Sequence, residues 1–462
     1  MADFIITAST TTGQALNGSE SGFVTSTGVV FTSGSDAVTT TEGTNWLTVD
    51  GYLYAYNGGF AAVDAGGGVL EMLVGKNGLV SAENPTEGTI DADLSTHLDL
   101  VNHGLIHSNN DHAINFNATD GDADLYLQNY GRITAHTGET IRASLDAGTL
   151  WFYNYGEISG KTLETVTTAA LATNASSHTF VNEGSITSLE DAAVELDLGD
   201  QSSLQATNSG TISGVNMAFG VTSAVAVSLI NTGTLTVSDA NGSALVLGGG
   251  DDVAVNTGSI AGIAFFDAGN DSFDTRDGSF TGRIFMGDGN DTLRGSQDDD
   301  AVDGGGDSDV LRGEAGNDSL DGNTGSDYLR GDAGDDTLIG NAGFDTLYGN
   351  AGNDDLDGGG RSDLLVGGKG DDTMTGGGGA DTFVIRRVGN GDDEVTDFQN
   401  GFDVVDISAL GVQDFTELNT TFGALSETTD GVLIDLAAAG GSGSILLQGM
   451  TLADMDASDF IF

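Results

Sequence analysis

A nine-residue period leaves this chain little freedom in how it can fold. From Met286 to Val384 it runs without a gap through eleven copies of a pattern close to GGxGxDxLx, such as GEAGNDSLD at 313–321 and GNAGNDDLD at 349–357. Two positions hold throughout. The sixth is always aspartate: Asp291, Asp300, Asp309, Asp318, Asp327, Asp336, Asp345, Asp354, Asp363, Asp372 and Asp381. The eighth is always apolar: Leu293, Val302, Leu311, Leu320, Leu329, Leu338, Leu347, Leu356, Leu365, Met374 and Phe383. A three-residue strand turns only its middle side chain inward, so one apolar residue in nine suffices to build a core. The glycines permit turns with positive φ and close approach of successive turns. The aspartate then stands at the same corner of every turn. Stacked about 4.8 Å apart, such carboxylates repel unless a hard, oxygen-seeking cation lies between them.

The run resembles the RTX (repeats-in-toxin) nonapeptide family. That resemblance implies a parallel β-roll with two nonapeptides per turn and calcium held between stacked loops. It also implies that the eleven aspartates, with nearby loop carbonyls, are the ligands. With ions between turns two repeats apart, eleven repeats leave room for up to about nine Ca²⁺. The array carries 23 acidic and 5 basic side chains, a net −18 that nine Ca²⁺ would balance. An acidic, glycine-rich disordered linker is the competing reading of such a composition. It leaves the apolar eighth position unexplained. Asp298, Asp307 and Arg361 replace the glycine at position four, so the sites they flank are expected to be weak or empty.

Upstream lies a looser repeat. Asn-x-Gly-x-Ile recurs from Asn102 through Asn129, Asn154, Asn182, Asn208 and Asn231 to Asn256, at spacings of 27, 25, 28, 26, 23 and 25 residues. KNGLV at Lys76 reads as an earlier copy and RDGSF at Arg276 as a later one. A period near 25 is what one rung of a parallel β-helix needs, three short strands and three turns. Asparagine at a repeated turn can bond to its stacked copies, glycine takes the tight bend, and isoleucine enters the core. The motif is similar to that of β-helical passenger regions of large bacterial adhesins. A β-propeller is the runner-up and would need blades of about 40 residues.

The chain is therefore expected to be all-β: a parallel β-helix running into a calcium-binding β-roll, with a short C-terminal β cap. The expected divisions are 1–75, a β-rich cap or irregular first rungs; 76–285, the β-helix; 286–384, the β-roll; and 385–462, a cap with the secretion signal. LGGGDDVAV at 247–255 and FDAGNDSFD at 266–274 blend the two repeats. One continuous solenoid is the economical reading, with Asp252 and Asp271 as possible extra ligands.

Composition narrows function. A formal charge of −57 makes nucleic acid and anionic membrane poor partners. The absence of cysteine removes disulfides and thiolate metal sites. The start, MADFIITASTTTGQ, has neither a basic segment nor an apolar run of signal-peptide length, and no stretch approaches the 18 to 20 apolar residues of a spanning helix. Toward the other end, Asp397, Phe398, Gly401, Asp403, Asp406, Ile407 and Ser408 match the DFxxGxDxxDIS pattern of RTX proteins, and Asp459 to Phe462 their acidic-then-hydrophobic tail. This implies type I export, which needs no cleaved leader.

Signatures of catalysis are few. HExxH and GxSxG are absent, and the single proline, Pro85, precedes Thr86, so an Asp-Pro-His epimerase motif is missing. His97, His103, His107 and His112, with Asp99 and Asp111, could form a metal or acid-base site, but their spacing fits turns and outward strand positions better. Trp46, Trp151, Tyr153 and Tyr155 could stack on sugars, although packing between rungs is the simpler account. At position nine, Arg294, Arg312 and Arg330 fall in one row and Asp303 and Asp321 in the other, so the guanidinium row could dock an anionic polysaccharide or an acidic neighbour. The favoured reading is a secreted, calcium-dependent structural or adhesive protein: an adhesin, surface-layer or filament subunit. Its expected partners are calcium, the type I machinery, and itself or a cell-surface polysaccharide. A polysaccharide lyase or epimerase is the alternative, and a pore-forming toxin a distant third.

Overall fold

The computed structural model describes every residue except 1–3, 7–8, 11, 17–19, 34, 42, 57–59, 84–87, 95–96, 119–123, 137–139, 145–147, 161–162, 167–176, 199–202 and 387–390. It divides into two compact units, Met1–Ala264 and Phe265–Phe462. This boundary falls before the expected one at 285/286. The reason is local: Phe266–Asp274 already places an aspartate two residues before a buried phenylalanine, as the later repeats do.

In the first unit, strands one rung apart pair in parallel, and each rung contributes to three sheets. Leu98 pairs with Leu125, Ile106 with Ile133, and Ile114 with Ile141. Alternation within each strand sends one side chain inward and the next outward, so Leu98, Leu100, Ile106 and Ile114 line the interior. The parallel pairing is that of a β-helix, whereas a propeller blade would be antiparallel. Residues of the 1–75 segment join the same sheets: Phe4–Ile6 pairs with Ser21–Val24, which pairs with Thr44–Val49, which pairs with Val69–Val74.

The repeated asparagines form one buried column. Asn102 Nδ2 donates to Asn129 Oδ1 at 2.8 Å, and the relay continues through Asn154, Asn182, Asn208 and Asn231 to Asn256 at 2.7 to 2.8 Å. KNGLV departs from the expectation. Gly78 and Val80 take their places in the turn and core, but Val74, not Asn77, occupies the column. In this rung the turn from column to glycine is two residues longer, which carries Asn77 past the column position.

The second unit is a two-sheet roll closed by 18-residue steps. Thr292–Arg294 pairs with Val310–Ala315, then Tyr328–Ala333, Thr346–Ala351 and Leu364–Lys369. The intervening repeats form the opposite sheet, from Ala301–Gly306 through Ser319–Asp321, Thr337–Ile339 and Asp355–Asp357 to Thr373–Thr375. All eleven eighth-position side chains are buried between the two sheets.

Both sheet edges are covered after the last repeat. Asp392–Val395 extends one sheet and receives Ser444–Gln448, against which Gly431–Asp435 and Leu425–Glu427 run antiparallel. Val404–Asp406 extends the other and receives Phe460–Ile461. An open parallel edge would pair with other chains, and this C-terminal β cap removes it.

Candidate metal centre

The aspartates of the repeats form two buried ladders in the roll. In each, the backbone N–H of one aspartate donates to Oδ1 of the aspartate 18 residues on: Asp291 to Asp309, Asp309 to Asp327, Asp327 to Asp345, Asp345 to Asp363 and Asp363 to Asp381, at 2.8 to 2.9 Å. On the other side Asp300, Asp318, Asp336, Asp354 and Asp372 are linked in the same way at 2.8 to 3.0 Å. This spends one oxygen of each carboxylate and orients the second. That second oxygen, Oδ2, is buried and has no hydrogen-bond partner in Asp291, Asp309, Asp318, Asp327, Asp336, Asp345, Asp354, Asp363, Asp372 and Asp381. A buried polar atom without a partner costs about 1–3 kcal/mol, and more when charged. Ten in one array cannot be left uncompensated.

Glycines shape the space beside these oxygens. At position one, a Cβ on Gly304 or Gly376 would lie 2.6 Å from Oδ2 of Asp309 or Asp381, so any side chain there would fill the gap. Except at Ser296, position two holds the turn in the left-handed region even where it is not glycine: Glu314, Asn323, Asp332, Asn341 and Asn350 have φ between 61° and 78°. At position four a Cβ on Gly334 would fall on the Gly316 carbonyl oxygen one turn earlier. Carbonyls and carboxylates thus line each gap, an all-oxygen donor set that suits Ca²⁺. Among the described residues no three His, Cys, Asp or Glu side chains converge, so main-chain oxygens must complete any shell. The residues fit calcium, and one aspartate Oδ2 per turn is what a cation would satisfy.

Electrostatics agrees with the geometry. Burial pushes the Asp309 carboxyl up to about 8, helped by the charges of Asp291, Asp327 and Asp307 and opposed by the bond from Asp291 N–H. Burial likewise takes Asp318, Asp354, Asp363 and Asp372 to about 7, and Asp291, Asp327 and Asp381 to about 6. Asp336 and Asp345 are raised by the same cause.

Asp300 differs from the other ten. Its Oδ2 accepts from Ser296 N at 2.6 Å and from Ser296 Oγ at 3.2 Å, so its carboxylate is engaged within its own turn. Of the three replacements at position four, Asp307 and Arg361 keep the left-handed turn, with φ of 67° and 89°, whereas Asp298 does not. At position two the second repeat stands alone: Ser296 lacks the left-handed φ that the other ten repeats share there. We expect Asp345→Asn to lower the number of tightly bound Ca²⁺ and raise the calcium midpoint of folding several-fold, while Asp300→Asn changes neither. Calorimetric titration of both variants checks this, and equal losses would refute the distinction.

Both ladders outrun the repeats. Asp372 N–H donates to Asp393 Oδ1 at 3.1 Å and Asp381 N–H to Asp403 Oδ1 at 2.9 Å. Sequence reasoning missed these rungs because the glycine spacing has lapsed, but a signal remains: Asp393 and Asp403 each stand two residues before a buried valine, Val395 and Val405. At the other end, Asp271 N–H donates to Asp291 Oδ1 at 2.7 Å, placing Asp271 in the ladder. Asp252 is buried in the first unit, and its Oδ1 accepts from Val227 N–H. Residues of the DFxxGxDxxDIS pattern close the roll: Asp397 accepts from Gly376 and Gly377 N–H, and Asp403 Oδ2 from Gln399 N–H at 2.7 Å.

The histidines do not assemble a centre. His107 bonds to Thr134 Oγ1 and Asn109 Oδ1, His112 pairs with Asp111, and His103 stacks on Tyr130 at 4.7 Å. Tyr130 in turn stacks on Tyr155 at 4.8 Å, so these rings cover one another's faces.

The fold and these ladders define a class: a parallel β-roll whose turns present buried carboxylates to cations. The family model of the RTX calcium-binding nonapeptide repeat matches in four copies, at 287–311, 303–338, 330–360 and 357–384. The chain thus carries an RTX calcium-binding repeat array, as its resemblance implied. Among solved structures it is similar to the solution structure of the AlgE6R3 subunit from the Azotobacter vinelandii mannuronan C5-epimerase. The identity is 32% over 30% of this chain and 78% of that one, with a TM-score of 0.18 that carries no structural argument. No curated protein matches.

Proposed function

We propose that this protein is a secreted structural or adhesive component of a bacterial surface or matrix, folded by calcium after type I export. The observation that carries this is the set of ten buried, unpartnered aspartate oxygens. Without cations they oppose closure of the roll. In a calcium-poor cytosol the acidic repeats stay open, which suits a narrow exporter. Outside, calcium at the roughly 10⁻⁴ to 10⁻³ M that extracellular modules require converts binding free energy into folding free energy. The C-terminal region, with its DFxxGxDxxDIS pattern, supplies the export signal. Co-expression with a type I exporter tests this: the chain should reach the medium or cell surface only with residues 385–462 present, and a chelator wash should release the surface-held fraction. Export without that segment, or chelator-resistant retention, would refute it.

A second reading rests on one specific feature. Glu71 and Asp99 are direct neighbours across adjacent strands, with Trp46 Nε1 bonded to Glu71 Oε2 at 2.8 Å and Tyr126 next in register. Burial raises the Asp99 carboxyl, His97 lowers it and Glu71 raises it further. Two neighbouring carboxylates, one of them made easier to protonate by its burial, are the equipment of acid-base chemistry on a glycan. Incubation with alginate, pectate and neutral polysaccharides, comparing the parent with Asp99→Asn, decides between the readings, since an Asp99-dependent product would establish the enzyme.

A further inference from the structure

The two outer faces of the roll carry columns of opposite charge at one pitch. Arg294, Arg312 and Arg330 are partners in register on three successive strands of one sheet. Each flanks a buried leucine, so alternation turns it outward. On the other sheet Asp303 and Asp321 are in register, followed by Ile339 and then Asp357. Both columns advance by one strand spacing, about 4.8 Å.

Nearby groups offset part of each column, at Arg330 and Asp303, but leave Arg294, Arg312 and Asp321 without an ion pair among the described residues. Asp274, next in register to Arg294, is clamped by Arg276 at 2.7 and 3.0 Å. Asp332 pairs with Arg330. Glu314 is the remaining acid beside the arginine column, and position seven there offers only Thr292, Val310, Tyr328 and Thr346. On the opposite face Asp303 and Asp321 each hold an asparagine amide through Oδ1, from Asn323 and Asn341. Arg283 lies 3.6 Å from Asp303 Oδ2, and Asp355 and Asp357 are exposed.

We propose that the arginine column of one molecule docks on the aspartate column of a second copy of this chain. The inference rests on the reading of the protein as a calcium-folded structural component. A chain of net charge −57 repels its copies almost everywhere. Association must therefore run through the place where the sign reverses, and the complementary column at the same pitch lies on the opposite face of the same roll. Such a contact joins unlike faces, so a growing assembly always keeps one free face of each kind and stays open-ended. The columns exist only in the folded roll, which makes assembly follow calcium.

Sedimentation of the full chain in saturating calcium, with circular dichroism alongside, tests this. The parent should form oligomers whose size falls as salt screens the contact. Arg312→Glu and Asp321→Arg should each weaken association by roughly tenfold or more with the calcium-induced β-signal intact. An equimolar mixture of the two variants, and the double variant, should recover assembly, because the reversed column again meets its opposite. A parent that folds with calcium yet stays monomeric, or single variants that assemble as the parent does, would overturn the inference and leave the functional reading standing. So would monomeric parent protein that binds an anionic polysaccharide through Arg312. Failure to fold with calcium would instead overturn the functional reading itself.

Discussion

Stripped of calcium at pH 8, the second unit should lose its β-structure, and acidification in the same chelator should restore it. The carboxyls of Asp309, Asp318, Asp354, Asp363 and Asp372 rise from an ordinary 3.8 to about 7 or 8 in the closed roll, through burial first and mutual repulsion second. Folded-state values above the unfolded ones mean that the metal-free roll binds more protons than the open chain. The stability this supplies is full below about pH 4 and is lost as pH rises through 6 to 8. Relief of self-repulsion in a chain of −57 acts in the same direction. With calcium present the dependence reverses. Protons and Ca²⁺ compete for the same oxygens, so the calcium midpoint should climb as pH falls below 7. Far-UV circular dichroism across pH 4 to 8, in chelator and in calcium, checks both arms. A metal-free roll more stable at pH 8 than at pH 5 would mean that the aspartates are not what holds it open.

The second large effect lies in the first unit and should ignore calcium. Asn182→Ala removes the acceptor of Asn154 Nδ2, the donor to Asn208 Oδ1 and the bond to the Thr211 carbonyl. It also leaves a small cavity in a column where every asparagine is at most 1% exposed. Unsatisfied buried amides cost about 1–3 kcal/mol each, so a loss of about 3 kcal/mol or more is expected. Asn182→Asp should be worse still, because it places a charge in the column and removes the donor. Denaturant melts of the full chain, followed at high and low calcium, should show the same loss in both. A loss that calcium reverses would place the asparagine column under the control of the roll.

The two experiments probe parts of the molecule that were legible to different degrees. In the roll, the inward leucines and the aspartate corners follow from spacing alone, because which side chain a strand turns inward is a local matter. The Asn-x-Gly-x-Ile copies from Asn102 to Asn256 were equally plain. KNGLV was misleading because a turn two residues longer moves an asparagine out of the column while glycine and valine stay in theirs, and no local rule reports the length of a turn. Asp300 keeps the sixth position of its repeat, and the loss of glycine at Asp298 marked its site as weak, but only the structure shows Ser296 taking its free oxygen.

The ladder bonds are the clearest case of what lay beyond local reading. Each joins atoms 18 to 22 residues apart in the roll, or 23 to 28 apart along the asparagine column. By itself, the sequence determined that an aspartate and a core residue recur every nine positions, that the strands are short and parallel, and that hard cations belong between the turns. Only the tertiary structure decided which carboxylate oxygen is spent on the backbone and which is left for an ion. It alone decided that the ladders continue to Asp393 and Asp403, and which members of the arginine and aspartate rows are already paired, Arg330 with Asp332 and Asp303 with Arg283. The physical reason is register. Periodicity sets which face of a strand a residue occupies, but the alignment of strands a full turn apart sets which atoms meet.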